Sequence, residues 1–220
     1  MPGILYHLSF AEKVYRKFST QSPQIPLNKL AFLEGNLIPD LATNKSLSHY
    51  RHASSVRGFV IPDMELVKKD LLVPEDSIKF GMFCHLYLDH SFIEDFLIPQ
   101  FIWDFDTKSV VNPRNNKKWN AETFFSPSGM YGAYTELNQL ILRDGLVSLN
   151  TIKEIPEILP NTGLPVFDSR REKTWKAELK EYLAQEKEYT GEIFDYNKLR
   201  QYLEKISTQF VDEFSFINAK

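Results

Sequence analysis

His85 and Asp89 stand four residues apart in the segment FGMFCHLYLDHSFIEDF, residues 80–96. In a helix that spacing puts the imidazole and the carboxylate on one face, a turn apart, where both can reach one metal ion. Histidine with carboxylate is a workable ligand set for zinc and other first-row metals, and a catalytic zinc site typically uses three protein ligands plus water. Phe80, Met82, Phe83, Cys84, Leu86, Tyr87, Leu88 and Phe92 surround the pair, and a helix apolar on every side is a buried one. A helix-stabilising His-to-Asp hydrogen bond is the other reading. Burial favours coordination, one of the few ways to satisfy a neutral imidazole and an anionic carboxylate together. His90 points about 100° away from Asp89 and reads as a supporting or surface residue.

Further ligands are sought among the remaining histidines and acids. His49 and His52, three apart in SHYRH, offer a third ligand from one or the other, or else two solvated loop histidines. His7 lies among Leu5, Tyr6 and Leu8, a setting equally suited to a partly buried histidine and to a ligand. Asp40 closes GNLIPD; a carboxylate there is a turn former, a helix cap, or a group held toward a cleft. Glu34 and Glu94 are candidates for acid/base work, Glu34 as an aid to the base, and otherwise solvated acids. Cys84 is the single cysteine, which excludes an intramolecular disulfide and a cysteine-rich zinc finger. Any bound metal must therefore be held by His, Asp and Glu. Phosphate-cradling GxxxxGKS and GxGxxG loops, the GxSxG elbow and HExxH are all absent from the sequence.

These residues have to be positioned by helices. Leu5, Leu8, Ala11, Val14, Tyr15 and Phe18 recur at helical spacing, predicting an amphipathic helix over 4–18 that carries His7. Leu30–Leu41 predicts a helix ending near Gly35 and a tight turn at NLIPD. Residues 42–62 read as loop and short helix, and PDMELVKKDLLV as a short amphipathic helix. Pro74, Glu75 and Asp76 open the longest helix expected, 78–98, with Pro99 helping to end it. The segment 101–119 suggests a hairpin or irregular excursion, 120–143 a further helix, and 170–187 and 196–215 two closing helices, the last capped by Asp195. The expectation is an all-α, single-domain bundle, with the metal-site half over about 1–100 and supporting or lid helices over about 120–220.

Composition sets outer bounds. The 220 residues are 43% hydrophobic and 14% aromatic, a globular balance long enough for one sizeable core. Twenty-six Lys and Arg against 29 Asp and Glu leave a formal charge of −3, with no global pull toward nucleic acid or an anionic membrane. No apolar run reaches the roughly 18 residues of a transmembrane span, and MPGILYHLSFAEKVYRKF lacks a secretory pattern, so a soluble, cytoplasmic protein is expected.

Taken in order, His7, the GNLIPD turn ending in Asp40, SHYRH and GMFCHLYLD resemble the zinc-dependent phospholipase C family, whose helical fold is shared with P1-type nucleases. The likeness covers roughly the first 100 residues and is greatest to the small, leaderless bacterial branch, with its MP start and F-x-x-H-x-x-L-D helix. The resemblance implies an all-α bundle of phospholipase C/P1 nuclease type converging on zinc, with one or two ions. It implies hydrolysis of a small phosphodiester or phospholipid head group by metal-activated water. His7 and Asp40 would then be ligands at one position, His49 or His52 the loop histidine, and His85 and Asp89 the core-helix ligands. Ile93 stands where relatives carry a further His or Glu. A metal-binding or interaction protein that keeps the fold without catalysis is the alternative. Single-strand nuclease-like activity, suggested by the aromatics beside Lys117, Lys118 and Trp119, is another.

Overall fold

The computed structural model describes residues 3–51, 55–56, 59–185 and 187–215. It is mostly helical, with a small antiparallel sheet. Helix α1 (Ile4–Gln21) buries Leu5, Leu8, Ala11, Val14 and Phe18, the stripe expected from their spacing. Helix α2 (Lys29–Leu41) is capped by the Asn28 side chain, which accepts from the Ala31 N–H at 3.0 Å. A single turn, α3 (Lys45–Ser48), precedes the two-residue strands β1 (Ser55–Val56) and β2 (Phe59–Val60). Then come α4 (Met64–Leu71), capped by Asp63, and α5 (Ser77–Ser91), capped by Asp76.

The chain leaves α5 through a π-helical segment (Phe92–Leu97) and one closing turn, α6 (Ile98–Gln100). Strands β3 (Ile102–Asp104), β4 (Ser109–Asn112) and β5 (Lys117–Asn120) form an antiparallel meander, with Ile102 opposite Val111 and Val110 opposite Trp119. Helices α7 (Ala121–Phe124), α8 (Met130–Arg143), α9 (Leu149–Glu154), α10 (Pro165–Asp168), α11 (Trp175–Ala184) and α12 (Tyr196–Phe214) complete the chain. Asp195 caps α12 by accepting from the N–H groups of Asn197 and Lys198. That helix packs along α1 and sends Phe210 among Phe10, Phe80 and Phe83. No described helix is long and apolar enough to cross a membrane.

The closest helix pair is α2 with α5, and two glycines make it possible. A Cβ on Gly35 would lie 2.1 Å from the Ile78 carbonyl oxygen, and one on Gly81 2.1 Å from that of Phe32. The two backbones therefore touch from both sides. Here the structure corrects the expected break at Gly35: α2 runs on to Leu41 with Pro39 inside it. Pro39 lacks an N–H for the carbonyl four residues back, that of Gly35 itself, yet packing against α5 holds the helix. Local breaker signals lose to tertiary contact at this point.

Three other expectations are revised. The helix predicted over 78–98 is α-helical only to Ser91, because the π segment takes up an extra residue before Pro99. The helix over 120–143 is two pieces, parted at 125–129, where a Cβ on Gly129 would meet the Phe124 carbonyl oxygen at 2.3 Å. The hairpin region is a three-stranded sheet, and Trp119 is buried beside Phe101 and Phe124 rather than offered as a stacking face.

Candidate metal centre

Four elements deliver the polar residues to one point. His7 comes from the first turns of α1, Asp40 from the last turn of α2, His49 from the C-cap of α3, and His85 and Asp89 from α5. Asp89 lies at the middle. Its Oδ1 is 3.4 Å from His7 Nε2, and its Oδ2 is 3.4 Å from both His49 Nε2 and His85 Nε2. His49 Nε2 is 3.6 Å from Asp40 Oδ1. The rings of His7 and His85 stack, centroids 3.8 Å apart and 5° from parallel. None of His7, His49, His85 or Asp89 is more than 1% exposed.

The opposite ring nitrogens define what these atoms are. His85 Nδ1 lies 2.7 Å from the Asn36 carbonyl oxygen, which can only accept, so Nδ1 carries the proton. Ser48 Oγ lies 3.0 Å from the Pro39 carbonyl and 2.9 Å from His49 Nδ1, and with its one hydroxyl proton on the carbonyl it accepts from Nδ1. In the neutral imidazoles, therefore, both Nε2 atoms present lone pairs to Asp89 Oδ2. Acceptor faces acceptor at 3.4 Å, beyond the usual hydrogen-bond range. Nε2 of all three histidines and both oxygens of Asp89 are buried without a hydrogen-bond partner. Leaving such groups unsatisfied costs about 1–3 kcal/mol each, and a cation among them satisfies several at once. The donor chemistry fits a divalent metal. Asn36 supports the set further: with its amide oriented by its neighbours, it donates to the His7 carbonyl at 3.2 Å and accepts from the His85 N–H at 3.3 Å.

Electrostatics agree with lone pairs rather than charges on two of the rings. Burial, helped by repulsion from His85, lowers His7 to about 4, and burial lowers His49. Burial also opposes charge on His85, but Asp89 outweighs it and leaves that ring raised. Against the cost of burial, His85 and His7 hold the Asp89 carboxyl far below the carboxylate range. Asp40, 17% exposed, is likewise held low, with Lys45 and His49 prevailing over burial.

Asp40 marks the way out. A cleft of about 500 Å³ opens beside it, with Lys45, Arg51, Arg171 and Lys187 in its lining, and Tyr131 and Tyr134 on one wall. Lys45 Nζ is 2.8 Å from Asp40 Oδ1. Arg171 donates to the Asp40 main-chain carbonyl at 2.7 Å and pairs with Glu178 at 2.6 Å. Its segment is stitched to the end of α2: the Thr43 N–H donates to the Ser169 carbonyl at 2.8 Å and the Arg171 N–H to that of Leu41 at 3.0 Å. A smaller cavity of about 230 Å³, lined by Phe59, Phe92, Ile93, Leu97 and Met130, shares Arg51, Tyr131 and Tyr134 with the cleft.

The remaining candidates fall elsewhere. Glu34 is buried and its carboxyl raised by burial, but it lies six residues before Asp40 on α2, about 120° around the helix, and joins no ligand group. His90 Nδ1 is 3.0 Å from the Pro62 carbonyl and its Nε2 3.0 Å from Glu94, away from the centre. His52 lies outside the described residues. Ile93 faces the apolar cavity. Sequence reasoning missed Lys45 and Arg171: the first is a single lysine near Asp40 in the chain, and the second, 131 residues from Asp40, carried no signal. Comparisons with protein-family models, curated proteins and solved structures found no match.

Proposed function

We propose that this chain is a metal-dependent hydrolase of phosphodiesters, built as a bundle of phospholipase C/P1 nuclease type, with zinc as the expected ion. His7, His49, His85 and Asp89 would hold the ion, with Asp40 at its open side. The observation that carries the reading is the set of buried lone pairs turned toward one another around Asp89. When bound, such an ion makes water acidic enough to attack at neutral pH and polarises a phosphoryl oxygen. The protein's own share is separable from this. Asn36 and Ser48 fix the tautomers of His85 and His49, burial keeps His7 and His49 neutral, and the cations lining the cleft draw in an anionic ester.

Metal analysis of native protein is expected to find near-stoichiometric zinc. His85→Ala and Asp89→Ala should lose both the metal and hydrolysis of bis(4-nitrophenyl) phosphate, and a chelator should abolish turnover until zinc is restored. Native protein without any metal would defeat the reading. Ile93, apolar where a further ligand is expected in relatives, supports a second reading in which the ion is kept without turnover. Stoichiometric zinc with no phosphoester hydrolysis would select it.

A further inference from the structure

Among the described residues, two sets of three donors have their ligand atoms within 4.8 Å of one another, His7–Asp40–His85 and His49–His85–Asp89, and the sets share His85. That residue has one nitrogen to give. Its Nδ1 is committed to the Asn36 carbonyl, so only the Nε2 lone pair is free. Two separate ions cannot both use it, so only one of the two sets can be filled at a time. Asp40, the member at the mouth, already has a cation on Oδ1 in Lys45 at 2.8 Å. Lys45 opens α3 and His49 caps it four residues on, so one helical turn aims the ammonium and the ligand imidazole toward the same carboxylate. The Lys45 side chain is 43% exposed and lines the cleft. Arg171, fixed to the Asp40 carbonyl, stands beside it.

We propose that the centre takes a single ion and that the Lys45 ammonium binds a phosphoryl oxygen of the substrate, supplying the charge that a second metal supplies in two-metal phosphoesterases. This deepens the hydrolase reading and rests on it for the nature of the substrate. The geometry suits it: an ammonium is a compact point charge with three donors, so Lys45 can keep Asp40 and still donate toward the cleft.

The test uses the full-length chain, zinc and inorganic phosphate. Calorimetric titration of metal-free protein should give one zinc per chain, in wild type and in Lys45→Gln alike. Phosphate binding to the zinc-loaded protein should weaken about 10- to 100-fold in Lys45→Gln and recover largely in Lys45→Arg. Unchanged zinc affinity separates this loss from a fold defect. Two ions in the wild type, or unchanged phosphate affinity in Lys45→Gln, overturns the proposal. Wild type that is active on bis(4-nitrophenyl) phosphate while Lys45→Gln is equally active removes this proposal and leaves the hydrolase. Lys45-dependent phosphate binding by a wild type without hydrolysis supports the subsite and removes the hydrolase.

Discussion

The ligand cluster and the cleft wall meet at Asp40 but are held by opposite means. His7, His49, His85 and Asp89 are dry, and two of the imidazoles are fixed at the far nitrogen by a carbonyl or a hydroxyl. His85 and Asp89 stand on α5, whose backbone touches that of α2, the helix carrying Asp40, through Gly35 and Gly81. The wall is made of long, partly exposed cations joined by ion pairs, Lys45 on α3 and Arg171 on a segment tied to the end of α2 by main-chain hydrogen bonds. A rigid helix pair places atoms that must meet within a few tenths of an ångström. Adaptable side chains suffice where only charge must be supplied.

Gly81→Ala should break the first region most severely. The added methyl meets the Phe32 carbonyl at 2.1 Å, so α2 and α5 must part, at a cost of about 3 kcal/mol or more. Calorimetry should show a much lower Tm, and zinc binding should fall with it because the Asn36 carbonyl leaves His85. Ser48→Ala is a finer probe. It frees His49 to take either tautomer and should weaken zinc binding about 10- to 100-fold with the fold intact, as read by competition with a chromophoric chelator.

Proton competition gives a smaller, graded effect. Asp89 outweighs burial and raises His85 above the ordinary 6.5, so in metal-free protein that ring keeps its proton to higher pH than a free imidazole, and zinc must displace it. Zinc affinity should therefore fall about tenfold per pH unit as pH drops through the raised value. His7, lowered to about 4, adds a further proton only near that pH. A zinc affinity that stays flat as pH falls through 6.5 would contradict the His85 assignment. Arg171→Ala tests the second region and should do least to the fold: about 1 kcal/mol or less in stability, unchanged zinc affinity, and a raised KM for an anionic ester. Loss of zinc in that variant would show that the wall and the cluster are not independent.

The legible part of this molecule is the part written in short spacings. His85 and Asp89 share a face because four residues make about one helical turn, and the apolar residues around them already announced burial. The stripe of α1 and the caps Asp76 and Asp195 were readable for the same reason. Gly35 was misread because a glycine that breaks a helix and one that admits a neighbouring backbone look alike in sequence. The same ambiguity hid the break at 125–129 and the π segment, where nothing local marks the extra residue.

By itself, then, the sequence determined the chemistry on offer: histidines and carboxylates on apolar helices, one cysteine, and no nucleophile elbow or phosphate loop. It could do so because residue type and helical period are local properties. Only the tertiary structure decided that His7, Asp40, His49, His85 and Asp89 converge, and which nitrogen each of His49 and His85 turns inward. It also set Lys45 and Arg171 at the mouth. Those outcomes depend on carbonyls and side chains brought together by backbone contact between distant segments, which no spacing along the chain encodes.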